Sequence, residues 1–150
     1  MNTCSKFVST AFGLVSLLTL SQANAEIIAA RWTSACSDDV FFTLDLQPVP
    51  YLEPLFVYTL NGMVTIPAST PSGFARYPVQ GGVTYDILAT PVPRFRVSLF
   101  YSSAIGISFA YAANLTPPSL RGTGSLLITS DRGIGSCGGQ LEVVAPETME

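Results

Sequence analysis

The sequence contains no histidine, and its one lysine, Lys6, falls within the first ten residues. Beyond that point a Ser-His-Asp triad, a Cys-His pair, a Ser-Lys dyad, a lysine Schiff base and histidine-ligated zinc are all excluded within one chain. Charge is also scarce: 11% of the residues are charged, under half the usual quarter of a globular sequence. Past Lys6, six arginines face ten carboxylates, a net charge of −4. Such a surface offers no electrostatic footprint for nucleic acid or anionic lipid. Sustained helical periodicity is missing as well, which leaves an all-β chain.

What is present begins with an export pattern. Lys6 precedes an apolar stretch from Phe7 to Leu20, and Ala23-Asn24-Ala25 forms a small-residue cleavage site. Residues 1–25 are therefore expected to be a cleaved signal peptide, 26–145 a single domain, and 146–150 a flexible tail. The protein is expected to be secreted or periplasmic, with no transmembrane helix once the signal is removed. Asn114-Leu115-Thr116 is a formal glycosylation acceptor, relevant in a eukaryotic host. Cleavage removes Cys4 and leaves Cys36 and Cys137, which in an exported chain are expected to form a disulfide. With no CxxC spacing and no histidine, a metal thiolate site has no support.

The most apolar part of the exported chain is Phe95 to Ala113. Its odd positions are apolar at all but Ser103, and its even positions are mostly small or polar, a period of two. This predicts a hairpin with Ser102 to Ala104 as its loop, placing Tyr101 opposite Ile105, Leu99 opposite Ile107 and Val97 opposite Phe109. The odd face is the expected core. The even face from Ser102 to Ala112, namely Ser102, Ala104, Gly106, Ser108, Ala110 and Ala112, is flat and featureless. It is expected either to be covered by a loop of the same chain or to form an interaction face.

Other segments read as short strands. Ile27 to Cys36 places Ile28, Ala30, Trp32 and Cys36 on one side, and Val40 to Leu46 points Val40, Phe42, Leu44 and Leu46 inward. Asn61-Gly62 is the sequence of a two-residue hairpin turn between Leu55–Leu60 and Met63–Ile66. Gln80-Gly81-Gly82 predicts a second hairpin, and Pro78 an edge strand. Asn114 to Gly124 reads as a long crossing between sheets. Ser130 to Gly139 reads as a glycine-rich loop carrying Cys137, flanked by strands at Ser125–Thr129 and Gln140–Val144.

Short strands and one long-range disulfide predict an antiparallel β-sandwich with a Greek-key or immunoglobulin-like layout. A small closed β-barrel is the second architecture, and an outer-membrane barrel the third. The expected function is binding or assembly without catalysis, through self-association or a partner protein. Two alternatives remain. One is a carboxylate-dependent enzyme acting on glycans, drawing a pair from Asp38, Asp39, Asp45, Glu53, Asp86, Asp131 and Glu142. The other is an extracellular inhibitor or effector using loops such as Gln47 to Pro54. Asp38 and Asp39 suit a turn better than a calcium site, and no cofactor is implied. Tyr51, Tyr58, Tyr77 and Tyr85 are candidates for a sugar or small-ligand surface, with core packing as the default.

Overall fold

The computed structural model describes residues 26–49, 57–69, 71–86 and 94–144. Eight strands follow one another among these residues: β1 (Glu26–Ser34), β2 (Val40–Pro48), β3 (Val57–Pro67), β4 (Phe74–Asp86), β5 (Arg94–Ser102), β6 (Ser108–Leu115), β7 (Arg121–Ser130) and β8 (Gly133–Val144). Each strand pairs antiparallel with its neighbour in sequence, and β8 returns to pair with β1, so the sheet closes into a barrel. The small closed barrel, second of the three expected architectures, is the one that forms, and the described residues make no sandwich of two sheets. Closure gives every strand two hydrogen-bonded neighbours and removes the exposed edges that a sandwich must protect.

The inward positions are apolar: Trp32, Phe42, Leu60, Val64, Leu99, Tyr111, Leu126 and Leu141 are all buried, and among the described residues no polar or charged one is. The outward positions include Thr43, Asn61, Arg76, Gln80, Arg96 and Asn114, all exposed. The inner face is thus not the polar lumen of a transmembrane barrel, while the outer face mixes these polar residues with exposed Met63, Phe100 and Leu127. No helix among the described residues is long and apolar enough to cross a membrane.

Two expected hairpins are instead single long strands. Asn61-Gly62 lies within β3, where Gly62 sits between Leu44 on β2 and Val79 on β4. A Cβ there would overlap the carbonyl oxygen of Thr43, so glycine lets the neighbouring backbone come close. Gly81 does the same in β4 against the carbonyl of Ser98. Pro78 stands inside β4 opposite Met63, in a barrel that has no edge.

The hairpin of β5 and β6 forms as expected in parity but not in register. Tyr101 pairs with Phe109, Leu99 with Tyr111 and Val97 with Ala113. The loop is longer than three residues, closed by hydrogen bonds from Ser103 N to Ile107 O and from Gly106 N to Ser103 O. Ile105, expected inside, is 81% exposed at its tip. The stretch after Asn114 is a short link between neighbouring strands, not a crossing. The segment from Ser130 to Gly139 is largely strand, with Cys137 opposite Leu126 in β8.

Cys36, in the β1–β2 connection, bonds to Cys137 across 101 residues, with the Cα atoms 6.5 Å apart. In the chain-entropy model a loop of that length stabilises the fold by roughly 4 to 5 kcal/mol. The expected signal peptide and C-terminal tail lie outside the described residues.

Candidate functional site

The barrel interior divides into two unlike halves. At the end where β1 runs into the disulfide-bearing connection, aromatic side chains fill the space. Trp32 meets Tyr111 edge to face at 5.2 Å between ring centroids, and Phe42 meets the same tyrosine in the same way. Tyr101 is stacked between Tyr77, at 5.8 Å, and Phe109, at 4.7 Å. Gly139 supplies the remaining room: a Cβ there would overlap the Trp32 ring, so the missing side chain on β8 is replaced by the indole from β1. Burial pushes the Tyr111 hydroxyl well above its ordinary value of 10.0, reinforced by the neighbouring Tyr101. Burial likewise raises Tyr101, against an opposing hydrogen bond from Tyr111. Both phenols stay neutral, as an apolar plug requires.

The other half is hollow. A cavity of about 120 Å³ opens there, walled by side chains that include Ala30, Leu44, Leu60, Val83, Val97 and Leu141. Seven of the strands contribute inward-facing residues, and the turn between β6 and β7 contributes Leu120. Tyr58 is the single lining residue that carries a side-chain polar atom. The hollow exists because this end is furnished mostly with Val, Leu, Ile and Ala where the other end has Trp, Tyr and Phe.

Charged groups stand on the outer wall instead. Glu142 on β8 accepts hydrogen bonds from Arg121 Nε at 2.8 Å and Nη2 at 2.6 Å on β7, and from Arg31 Nε at 3.1 Å on β1. The Arg121 guanidinium, then Arg31, hold its carboxyl below the ordinary value of 4.5. Asp86 accepts a hydrogen bond from Arg96 Nη2 at 2.9 Å. A carboxylate engaged by arginine on a convex wall is a poor acid or base for glycoside cleavage, which needs two carboxyls facing each other across a cleft. Asp38 and Asp39 are exposed in the β1–β2 connection. No group of three or more metal-ligating side chains occurs among the described residues. Glu53, Tyr51 and most of the Gln47 to Pro54 loop lie outside them.

Tyr58, Tyr77 and Tyr85 all pack against the core, the last stacked on Phe95 at 4.6 Å, so they build the interior and not an outer sugar platform. The six small residues Ser102, Ala104, Gly106, Ser108, Ala110 and Ala112 are all exposed, with no segment of the described chain over them. Ala104 and Gly106 belong to the β5–β6 turn. The other four face outward on the barrel wall.

The cavity is the feature that strand-by-strand reading misses. In β3, Tyr58, Leu60, Gly62, Val64 and Ile66 form an unbroken series of one parity, of which Tyr58 and Leu60 line the cavity. Reading a turn at Gly62 hides that series. In comparisons with protein-family models, curated proteins and solved structures, the chain matches none.

Proposed function

We propose that this protein is a non-catalytic binding protein that takes one small apolar molecule, or the apolar end of a larger one, into the hollow half of its barrel. The observation that carries this reading is the unequal filling of a single core. Eight strands is the count at which a barrel is either filled by side chains or left with room for one small ligand. Here one half follows each course. A ligand occupying this apolar space of about 120 Å³ buries its own apolar surface against the wall at about 25 cal/mol per Å². The volume is close to that of the roughly 150 Å³ apolar cavity known to admit benzene. A ligand of that size is expected to bind with a Kd of about 0.1 to 1 mM, on the order of 4 to 5.5 kcal/mol. In the secreted or periplasmic setting expected from residues 1–25, the role is capture or carriage of such a molecule.

Titration with benzene, followed by methyl NMR, tests this. Shifts are expected at Leu44, Leu60, Val83 and Val97, and Val97→Phe, which fills the space, should abolish them. Shifts that persist unchanged in Val97→Phe would sink the proposal.

Self-association is a second reading, favoured by the outer wall of β5 to β8. Phe100, Ala110, Leu127 and Ser136 lie in one cross-strand row. Phe100 and Leu127 are large and exposed, and Ile134 stands on the next strand at 72% exposure. From Ser98 to Ser102, Ser108 to Ala112, Ser125 to Thr129 and Ile134 to Gln140 there is no charged residue. At ~4.8 Å between strands and ~3.3 Å per residue this face measures about 400 Å². Two copies would then bury roughly 800 Å², short of the ~1,200 Å² of a stable complex, so the occupant that fits is a second copy held weakly. Ala110→Arg should leave the monomer folded and abolish any dimer seen by sedimentation equilibrium. A strictly monomeric wild-type chain at millimolar concentration would remove this reading.

A further inference from the structure

Fourteen residues line the cavity, and thirteen are held in strands. The exception is Leu120, at the end of the turn that joins β6 to β7. Its backbone has φ +47°, and it is the one non-glycine residue with positive φ among the described residues. That region suits glycine or asparagine and disfavours a branched, bulky side chain. Leucine there gives up the residue types that turn would favour and places an apolar side chain at the open end of the barrel. The backbone around it is tied down. Leu120 N donates to Thr116 O at 3.0 Å, Thr116 N to Arg121 O at 3.2 Å, and Val143 N to Leu120 O at 3.1 Å. The last bond fixes the turn to β8, beside Val143, which also lines the cavity.

Resting on the cavity reading above, we propose that Leu120 is the residue that sets the upper size of the apolar group the barrel accepts. The strand-borne lining cannot retreat without disturbing the hydrogen-bonded wall. Leu120 stands outside the strands on its hydrogen-bonded turn, and its half-buried side chain, packed on the edge of the core, occupies the space that a longer ligand would need. Shortening this side chain lengthens the cavity and leaves the barrel intact. The ligand class that follows is a compact apolar group, with extended alkyl chains excluded at this position.

The test uses benzene, ethylbenzene and n-butylbenzene as probes, titrated by NMR into the disulfide-bonded protein and into Leu120→Gly and Leu120→Ala. Glycine suits the positive φ, so that variant is expected to fold, and alanine gives an independent shortening. The wild-type chain should bind benzene and lose at least tenfold in affinity by n-butylbenzene, despite the larger apolar surface of that probe. Both variants should regain that tenfold. An identical size cut-off in all three proteins overturns the role of Leu120 and leaves the cavity reading standing. Failure of all three proteins to bind any probe overturns the cavity reading and this inference together.

Discussion

The two halves of the barrel interior are built on the same strands, with the same inward alternation, and yet one is solid and the other hollow. Strand β4 shows the contrast within a few residues. Val79 is buried on the plugged side of Gly81, and Val83 lines the cavity on the other side. The difference comes from side-chain volume, since the closed backbone passes continuously through both halves. The plugged half is therefore the more fully packed, and the hollow half leaves volume unfilled.

The largest effect expected from breaking this contrast is at Trp32. Trp32→Ala removes the side chain that fills the room above Gly139 and should cost about 3 to 5 kcal/mol in chemical denaturation. Leu46→Ala, at the half-buried rim of the hollow end, should cost well under half of that. Equal losses would mean that the two halves are equally packed.

A sharper comparison adds one methylene to each side of Gly81. Val79→Leu overpacks the plug and should destabilise by about 1 to 3 kcal/mol. Val83→Leu points into the cavity and should be neutral, or stabilising by up to ~0.8 kcal/mol for the added buried methylene. Destabilisation of both to the same extent would show that the hollow is not available space.

The smallest effect is expected on the outer wall, where neither half is disturbed. Glu142→Gln weakens the hydrogen bonds to Arg121 and Arg31, and because both arginine side chains are exposed the loss should be about 1 kcal/mol or less at neutral pH. Because the folded carboxyl titrates below its ordinary value of 4.5, its contribution is fully present above that pH and is lost as the pH falls through the lower folded value. The wild-type and Glu142→Gln denaturation curves should therefore differ at pH 7 and converge in strong acid. A gap that widened on acidification would contradict the arginine contacts.

Much of this fold was legible in the parity of apolar residues. The inward faces of β1, β2, β5 and β6 follow from Ile28, Ala30 and Trp32, from Val40, Phe42 and Leu44, and from the odd positions of Phe95 to Ala113. The disulfide followed from the count of cysteines left once the expected signal peptide is set aside. The glycines were harder to read. Asn61-Gly62 has the composition of a tight turn, but in β3 Gly62 answers to a neighbouring carbonyl that lies far away in sequence. Long-range contacts of this kind leave no local trace, and the same applies to Gly81 and Gly139. The cavity was illegible for a related reason. Whether inward residues meet across a barrel depends on its closure and on the summed volume of side chains from every strand.

The most direct measurement of the central claim is the position of xenon in crystals of the protein pressurised with the gas. The unequal filling of the interior predicts an anomalous peak among Leu44, Leu60, Val83 and Val97 and none beside Trp32 and Tyr111. An interior without xenon, or xenon seated within the aromatic half, would contradict it.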